Sequence, residues 1–149
     1  MADNERVIFK REVTTAILVD GAFYRRRAYN FWGEKSPTER ADELYEYCMG
    51  LLHNKREQRN LYRLFYYDCP PIDNNVFHPI QGKTVNLGKT PDYKWMNDFF
   101  QELRHKRKVA LRLGNLSTSD LCYNIKPESF KKLLSGDKSS RTLMIPICI

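Results

Sequence analysis

The sequence predicts an α/β fold built on a largely parallel sheet. Three runs of strand type, Thr15–Val19, Leu61–Tyr67 and Val109–Leu113, alternate with helical segments that each carry one apolar side. Alternation of this kind implies βαβ units, joined by right-handed crossovers. The first two runs end in an acid, Asp20 and Asp68, and parallel sheets place their sites at the C-terminal ends of the strands.

Thr15-Ala16-Ile17-Leu18-Val19 is apolar almost throughout, as expected of a strand buried on both faces, and Asp20-Gly21 closes it in a turn. Helix follows over Ala22 to Phe31. Ser36-Pro37-Thr38-Glu39 announces a second helix, with Ser36 as N-cap, Pro37 at the first position and Glu39 completing a capping box. Beyond it, Ala41, Leu44, Tyr45, Cys48, Leu51 and Leu52 form one apolar stripe, expected to lie on the sheet, opposite a polar face of Arg40, Glu43, Glu46 and Lys55. The aromatic-rich run Leu61–Tyr67 reads as the next strand, stopped by Asp68-Cys69-Pro70-Pro71. Ile72 to Lys89, with Pro79, Gly82 and Gly88 among polar residues, reads as a long loop.

Thr90-Pro91-Asp92 caps a third helix, whose Trp95, Met96, Phe99, Phe100 and Leu103 share one side and whose cationic end is Arg104 to Lys108. Val109 to Leu113 resumes as a strand. Past Gly114 the pattern weakens to a short strand at Leu121–Ile125 and a small helix from Lys126 to Leu134.

At 149 residues, 42% apolar and 13% aromatic, the chain has room for one domain and ample material for a core. The net charge of +7, from 25 Lys and Arg against 18 Asp and Glu, favours an acidic partner such as nucleic acid, although a basic protein without one fits the total equally well. Cys48, Cys69, Cys122 and Cys148 have no zinc-site spacing and read as free thiols. No run approaches a membrane span and the N-terminus has no apolar signal region, so the expected location is cytoplasmic, with no membrane partner.

Asp20, at a strand end beside a glycine, is the leading candidate metal ligand; the competing reading is that it caps the next helix. Asp68 is a secondary candidate, with turn stabilisation as its alternative. Arg25, Arg26 and Arg27 follow close enough for a guanidinium to face a bound phosphate, but steps of about 100° per residue keep all three from sharing a face. The cations of Arg104 to Lys108 are explained by the helix C-terminus. His53, His78 and His105 lack metal spacing, and no GxSxG, GxGxxG or GxxxxGK[ST] occurs, which argues against triad hydrolases, dinucleotides and P-loop nucleotides. Aromatic residues in Tyr62 to Tyr67 are core residues or base-stacking ones.

The segments AILVDGAFYRRR, SPTERADELYEYC, LYRLFYYDCPP, KTPDYKWMNDFFQELRHKRKVALRLGNL and YNIKPESFKKLLSG, in this order and spacing, resemble the LabA-like branch of the NYN domain family, over about Ala16 to Gly136. The resemblance implies a Rossmann-like (PIN-like) parallel sheet with flanking helices on both faces. It also implies acids at strand ends that hold Mg²⁺ or Mn²⁺ to cleave RNA, with Asp20 matching the first acid. The family's later acidic motifs, resembling Lys-Gly-Val-Asp and Gly-Asp-Ser-Asp-Phe, do not occur, and Ala22, Phe23 and Tyr24 stand where some relatives carry an Asn.

The expected organisation is a polar lead-in over 1–14, the N-terminal part of an NYN domain over 15–136 and an atypical tail over 137–149, so that the domain is incomplete at its C-terminus. Leu143 to Ile147 encoded as CTG ATG ATT CCG ATA reads Asp-Asp-Ser-Asp in another frame, which motivates the hypothesis of a frameshift. Sequencing the locus tests it: an absence of any acidic continuation in another frame refutes it. The implied function is a metal-dependent ribonuclease, weak or inactive alone, with RNA as partner and a homodimer or a complementing chain to supply missing acids. A non-catalytic RNA-binding or protein-interaction module is the alternative. A non-functional truncation with an uncovered sheet edge is a third reading.

Overall fold

A computed structural model describes residues 11–53, 57–78, 82–117, 122–125, 134–135 and 144–147. The chain divides into two compact units, Met1–Asp68 with Asp98–Leu113, and Cys69–Asn97 with Gly114–Ile149.

The first unit is an α/β, Rossmann-like arrangement. Strands β1 (Arg11–Asp20), β2 (Glu57–Asp68) and β5 (Val109–Leu113) form a three-stranded parallel sheet in the order β1-β2-β5. Helices α1 (Gly21–Trp32) and α2 (Pro37–Gly50) connect the first pair, and α3 (Pro91–His105) ends in this unit before β5. Strands that step one way through crossovers of the usual hand put their helices on one face. Lys106, just past α3, accordingly donates to Asp42 of α2. That face holds the core: Ala41, Leu44 and Cys48 of α2, Leu64 and Tyr66 of β2, and Phe99, Phe100 and Leu103 of α3 are all buried. Burial pushes the Cys48 thiol up to about 11, so it stays protonated.

The capping box forms as predicted: Ser36 Oγ accepts from Glu39 N–H at 3.3 Å while Glu39 Oε2 accepts from Ser36 N–H at 2.9 Å. Two readings of the α2 stripe need correction. Leu51 is exposed, because it lies past the last helical turn. Arg40, expected on the polar face, is buried, since its guanidinium bridges Gly33 O at the C-cap of α1 and Glu43 Oε1. Tyr24 of α1 also donates to Glu43 at 3.0 Å, so a polar cluster joins the two helices. Burial first, and then the Glu43 carboxylate, raises the Tyr24 pKa. Lys55 lies outside the described residues.

Strand β1 is not buried on both faces. Among the described residues it pairs only with β2, so it is an edge strand, and its exposure alternates along its length. The register places Leu18 opposite Phe65, Asp20 opposite Tyr67, and Tyr67 opposite Arg112 on the sheet face away from the helices. Leu18 is 66% exposed and Tyr67 46% exposed there. The expectation of helices on both faces is therefore met on one face only among the described residues.

The second unit corrects the long loop. Within it β3 (Asn75–His78) pairs antiparallel with β4 (Lys83–Asn86), Val76 is buried, and a 3-10 turn spans Leu87–Lys89. Gly82 enters β4 at φ +63°, a conformation that favours glycine. Thr90 caps α3 as predicted, its Oγ1 accepting from Tyr93 N–H at 3.2 Å. The short strand near Leu121 is β6 (Cys122–Ile125), and the tail contributes β7 (Met144–Ile147), antiparallel to β6. The small helix expected from Lys126 lies almost wholly outside the described residues.

The core assignment predicts that Phe99→Ala, which empties space under Tyr66, costs about 3–5 kcal/mol. Leu51→Ala, outside the core, changes stability by about 0.5 kcal/mol or less. Urea unfolding of both variants measures the difference, and equal losses would show that the α2 stripe continues into the core.

Candidate strand-end site

Asp20 and Asp68 are the last residues of adjacent parallel strands, at the sheet's C-terminal edge. Asp20 has extended backbone angles (φ −75°, ψ 108°), and its Oδ1 accepts from Phe23 N–H at 2.9 Å, which makes it the N-cap of α1. The chain turns straight from strand into helix at Gly21. A Cβ there would fall 2.5 Å from the Tyr66 ring and would also strike Asp68 Oδ2. The space left by the missing side chain is taken up by a tyrosine ring and a carboxylate of the protein itself.

Asp68 leaves β2 with its side chain 4% exposed and forms an ion pair with Arg25 Nη1. The same Nη1 lies 3.5 Å from the Tyr66 hydroxyl oxygen, to which it donates. Tyr66 is fully buried, edge-on to Phe99 at 5.7 Å and to Phe100 at 6.3 Å between ring centres. Its pKa is raised chiefly by burial; the Arg25 charge opposes the rise and the Asp20 charge adds to it. Arg25 thus bridges Asp68 and the Tyr66 hydroxyl, and the charge of Asp20 acts on the same tyrosine. Neither reading of Asp68 from the sequence, metal ligand or turn stabiliser, included this buried ion pair.

The three arginines separate as helical geometry requires. Arg25 turns inward to Asp68, whereas Arg26 and Arg27 are exposed, and the Arg27 guanidinium lies 4.4 Å from the Phe31 ring centre. Of the aromatic strand, Leu64 and Tyr66 are core and Tyr62 and Tyr67 are exposed. Tyr66 was legible only as a core aromatic. Its link to the site depends on Arg25, 41 residues earlier in the chain.

A divalent ion needs several oxygen ligands whose charge is not already answered. Here one acid caps a helix and the other neutralises a guanidinium, and no three His, Cys, Asp or Glu side chains gather as a metal group among the described residues. Among the described residues, Asp20 and Asp68 by themselves do not make up a ligand set for Mg²⁺ or Mn²⁺. No helix among the described residues is long and apolar enough to cross a membrane. Cys48 is a free thiol. Comparison with protein-family models, curated proteins and solved structures finds no match to this chain.

Removing Arg25 leaves Asp68 charged and enclosed. Arg25→Met is expected to cost about 3 kcal/mol, at the low end for a broken buried pair because Arg25 retains some solvent contact. Adding Asp68→Asn should return a large part of that loss. Chemical denaturation of the single and double variants gives the coupling, and simple additivity would mean that the ion pair holds nothing together.

Proposed function

We propose that this chain is an RNA-binding α/β domain with PIN-like kinship to the NYN ribonucleases, acting in the cytoplasm, and that it binds RNA without cleaving it on its own. The single observation that supports this is the division of charge at the strand-end edge. Of the two acids there, Asp68 is paired with Arg25 and Asp20 caps the helix, while α1, which starts at that edge and contains no acid, exposes Arg26 and Arg27. Exposed guanidiniums on a helix that carries no acid attract phosphate, and pairing Asp68 with Arg25 removes one of the two negative charges that would repel it. In this reading Asp20 is the counterpart of the first metal-binding acid of the family. Cleavage would need further acids from a complementing chain or a second copy.

Labelled single-stranded RNA tests the proposal. The expected outcome is binding that persists in EDTA and weakens as salt rises, with no cleavage in Mn²⁺ and no effect of Asp20→Asn on the intact RNA. Mn²⁺-dependent cleavage that Asp20→Asn abolishes would replace the binding reading with a nuclease. Failure of the folded protein to bind RNA would remove both.

A further inference from the structure

Helix α1 buries little of itself. Only Gly21 and Ala28 are buried, with Tyr24 and Arg25 half-buried beside them. At about 100° per residue these four residues occupy one side of the helix; Arg26, Asn30, Phe23 and Arg27 lie on the side away from them, and Phe31 lies at the edge of that arc, next to Arg27 on one flank and Tyr24 on the other. Phe23 is 63% exposed and Phe31 61% exposed. The outward side of a surface helix is ordinarily Lys and Glu with isolated apolar residues. Here it combines aromatic rings and guanidiniums, and the Arg27 guanidinium already lies over the Phe31 ring at 4.4 Å. The nearest carboxylates in sequence are Asp20, engaged as the cap, and Glu34, beyond the helix end.

A partner for this face must offer flat apolar surfaces and negative charge at close spacing. Single-stranded nucleic acid has both, since unpaired bases expose π-faces and every nucleotide carries a phosphate. A duplex offers the charge but keeps its bases stacked internally. Phe23 and Phe31 lie eight residues apart, ~12 Å along the helix, so they address two separate bases. The arginines between them lie within reach of the connecting backbone.

We propose that the outward face of α1 is a stacking platform for single-stranded RNA, with bases on Phe23 and Phe31 and phosphates held by Arg26 and Arg27. The proposal rests on the RNA-binding reading above and names its surface. Both phenylalanines are exposed, and the cap at Phe23 uses only its backbone N–H, so alanine at either position leaves the core and the cap in place.

The test measures fluorescence anisotropy of labelled oligouridylate of about 12 nucleotides, a typical single-strand site length. The variants are Phe23→Ala with Phe31→Ala, and Arg26→Gln with Arg27→Gln, each confirmed folded by circular dichroism. The aromatic pair of substitutions should weaken binding roughly tenfold per ring, with the salt slope unchanged. The arginine pair should reduce that slope by about 1.4, two phosphate contacts at about 0.7 each. Undiminished affinity in the aromatic variant would overturn the platform while leaving RNA binding elsewhere on the molecule intact. Equal affinity for duplex RNA would also overturn it. Absence of RNA binding by the unaltered protein would overturn the functional reading together with the platform. If the same protein instead bound vesicles of phosphatidylcholine and phosphatidylglycerol through Phe23 and Phe31, the face would be a membrane-surface helix.

Discussion

Gly21 has no side chain, and the packing of α1 on the end of β2 depends on that. The tyrosine ring and the carboxylate that fill the space belong to Tyr66 and Asp68, and Arg25, one turn into the helix, closes the group from the other side. Any larger residue at 21 would push α1 off the sheet or force Tyr66 out of its place. Tyr66 in turn meets Phe99 and Phe100 of α3, so the contact made at one helix start is passed through β2 to the next helix. Interiors packed at crystal density transmit such constraints, because no free volume exists to absorb a shift.

Among the described residues of the first unit, the same sheet carries helices on one face only. Parallel sheets are ordinarily covered on both faces. Here the second face presents Leu18, Phe65 and Tyr67 with Arg63 and Arg112, the Arg112 guanidinium lying 5.5 Å from the Phe65 ring centre. The consistent direction β1 to β2 to β5 explains this, since a crossover on the other face requires a strand on the open side of β1. Among the described residues, the unpaired edge of β1 and the helix-free face are therefore one topological fact. They also explain why a run as apolar as Thr15–Val19 ends half exposed.

Periodicity and caps are local, and what they determine was legible. Ser36 with Glu39, Thr90 before Pro91, and the limits of Val109–Leu113 all involve residues a few positions apart. Whether a strand is central or at an edge depends on neighbours in space, so β1 was misread although its composition was read correctly. Arg40 looked like a solvated residue on a polar face because nothing nearby in sequence indicates that the end of α1 would deliver Gly33 O to it. The hairpin of β3 and β4 was missed for another reason. Its four-residue strands bury Val76 and leave Phe77 exposed, too few positions to establish a period of two. At the candidate site both acids were visible as strand ends, but the cation that pairs with Asp68 was not. Asp68 and Arg25 are 43 positions apart.

Charge at that edge also explains how a run of three arginines can serve two purposes. A carboxylate enclosed as tightly as Asp68 must have a positive partner, because an uncompensated buried charge costs more than the fold can supply. If the partner is a metal, the carboxylate remains a ligand and the edge can support hydrolysis. If it is a guanidinium from the neighbouring helix, the pair ties that helix to the end of the strand. Arg25 puts the described residues in the second case, and Asp20 is held beside it by the helix it caps. Since one helical step turns by about 100°, directing Arg25 inward turns Arg26 and Arg27 outward. The turn that pairs Arg25 with Asp68 is therefore also the one that leaves Arg26 and Arg27 of an acid-free helix facing solvent.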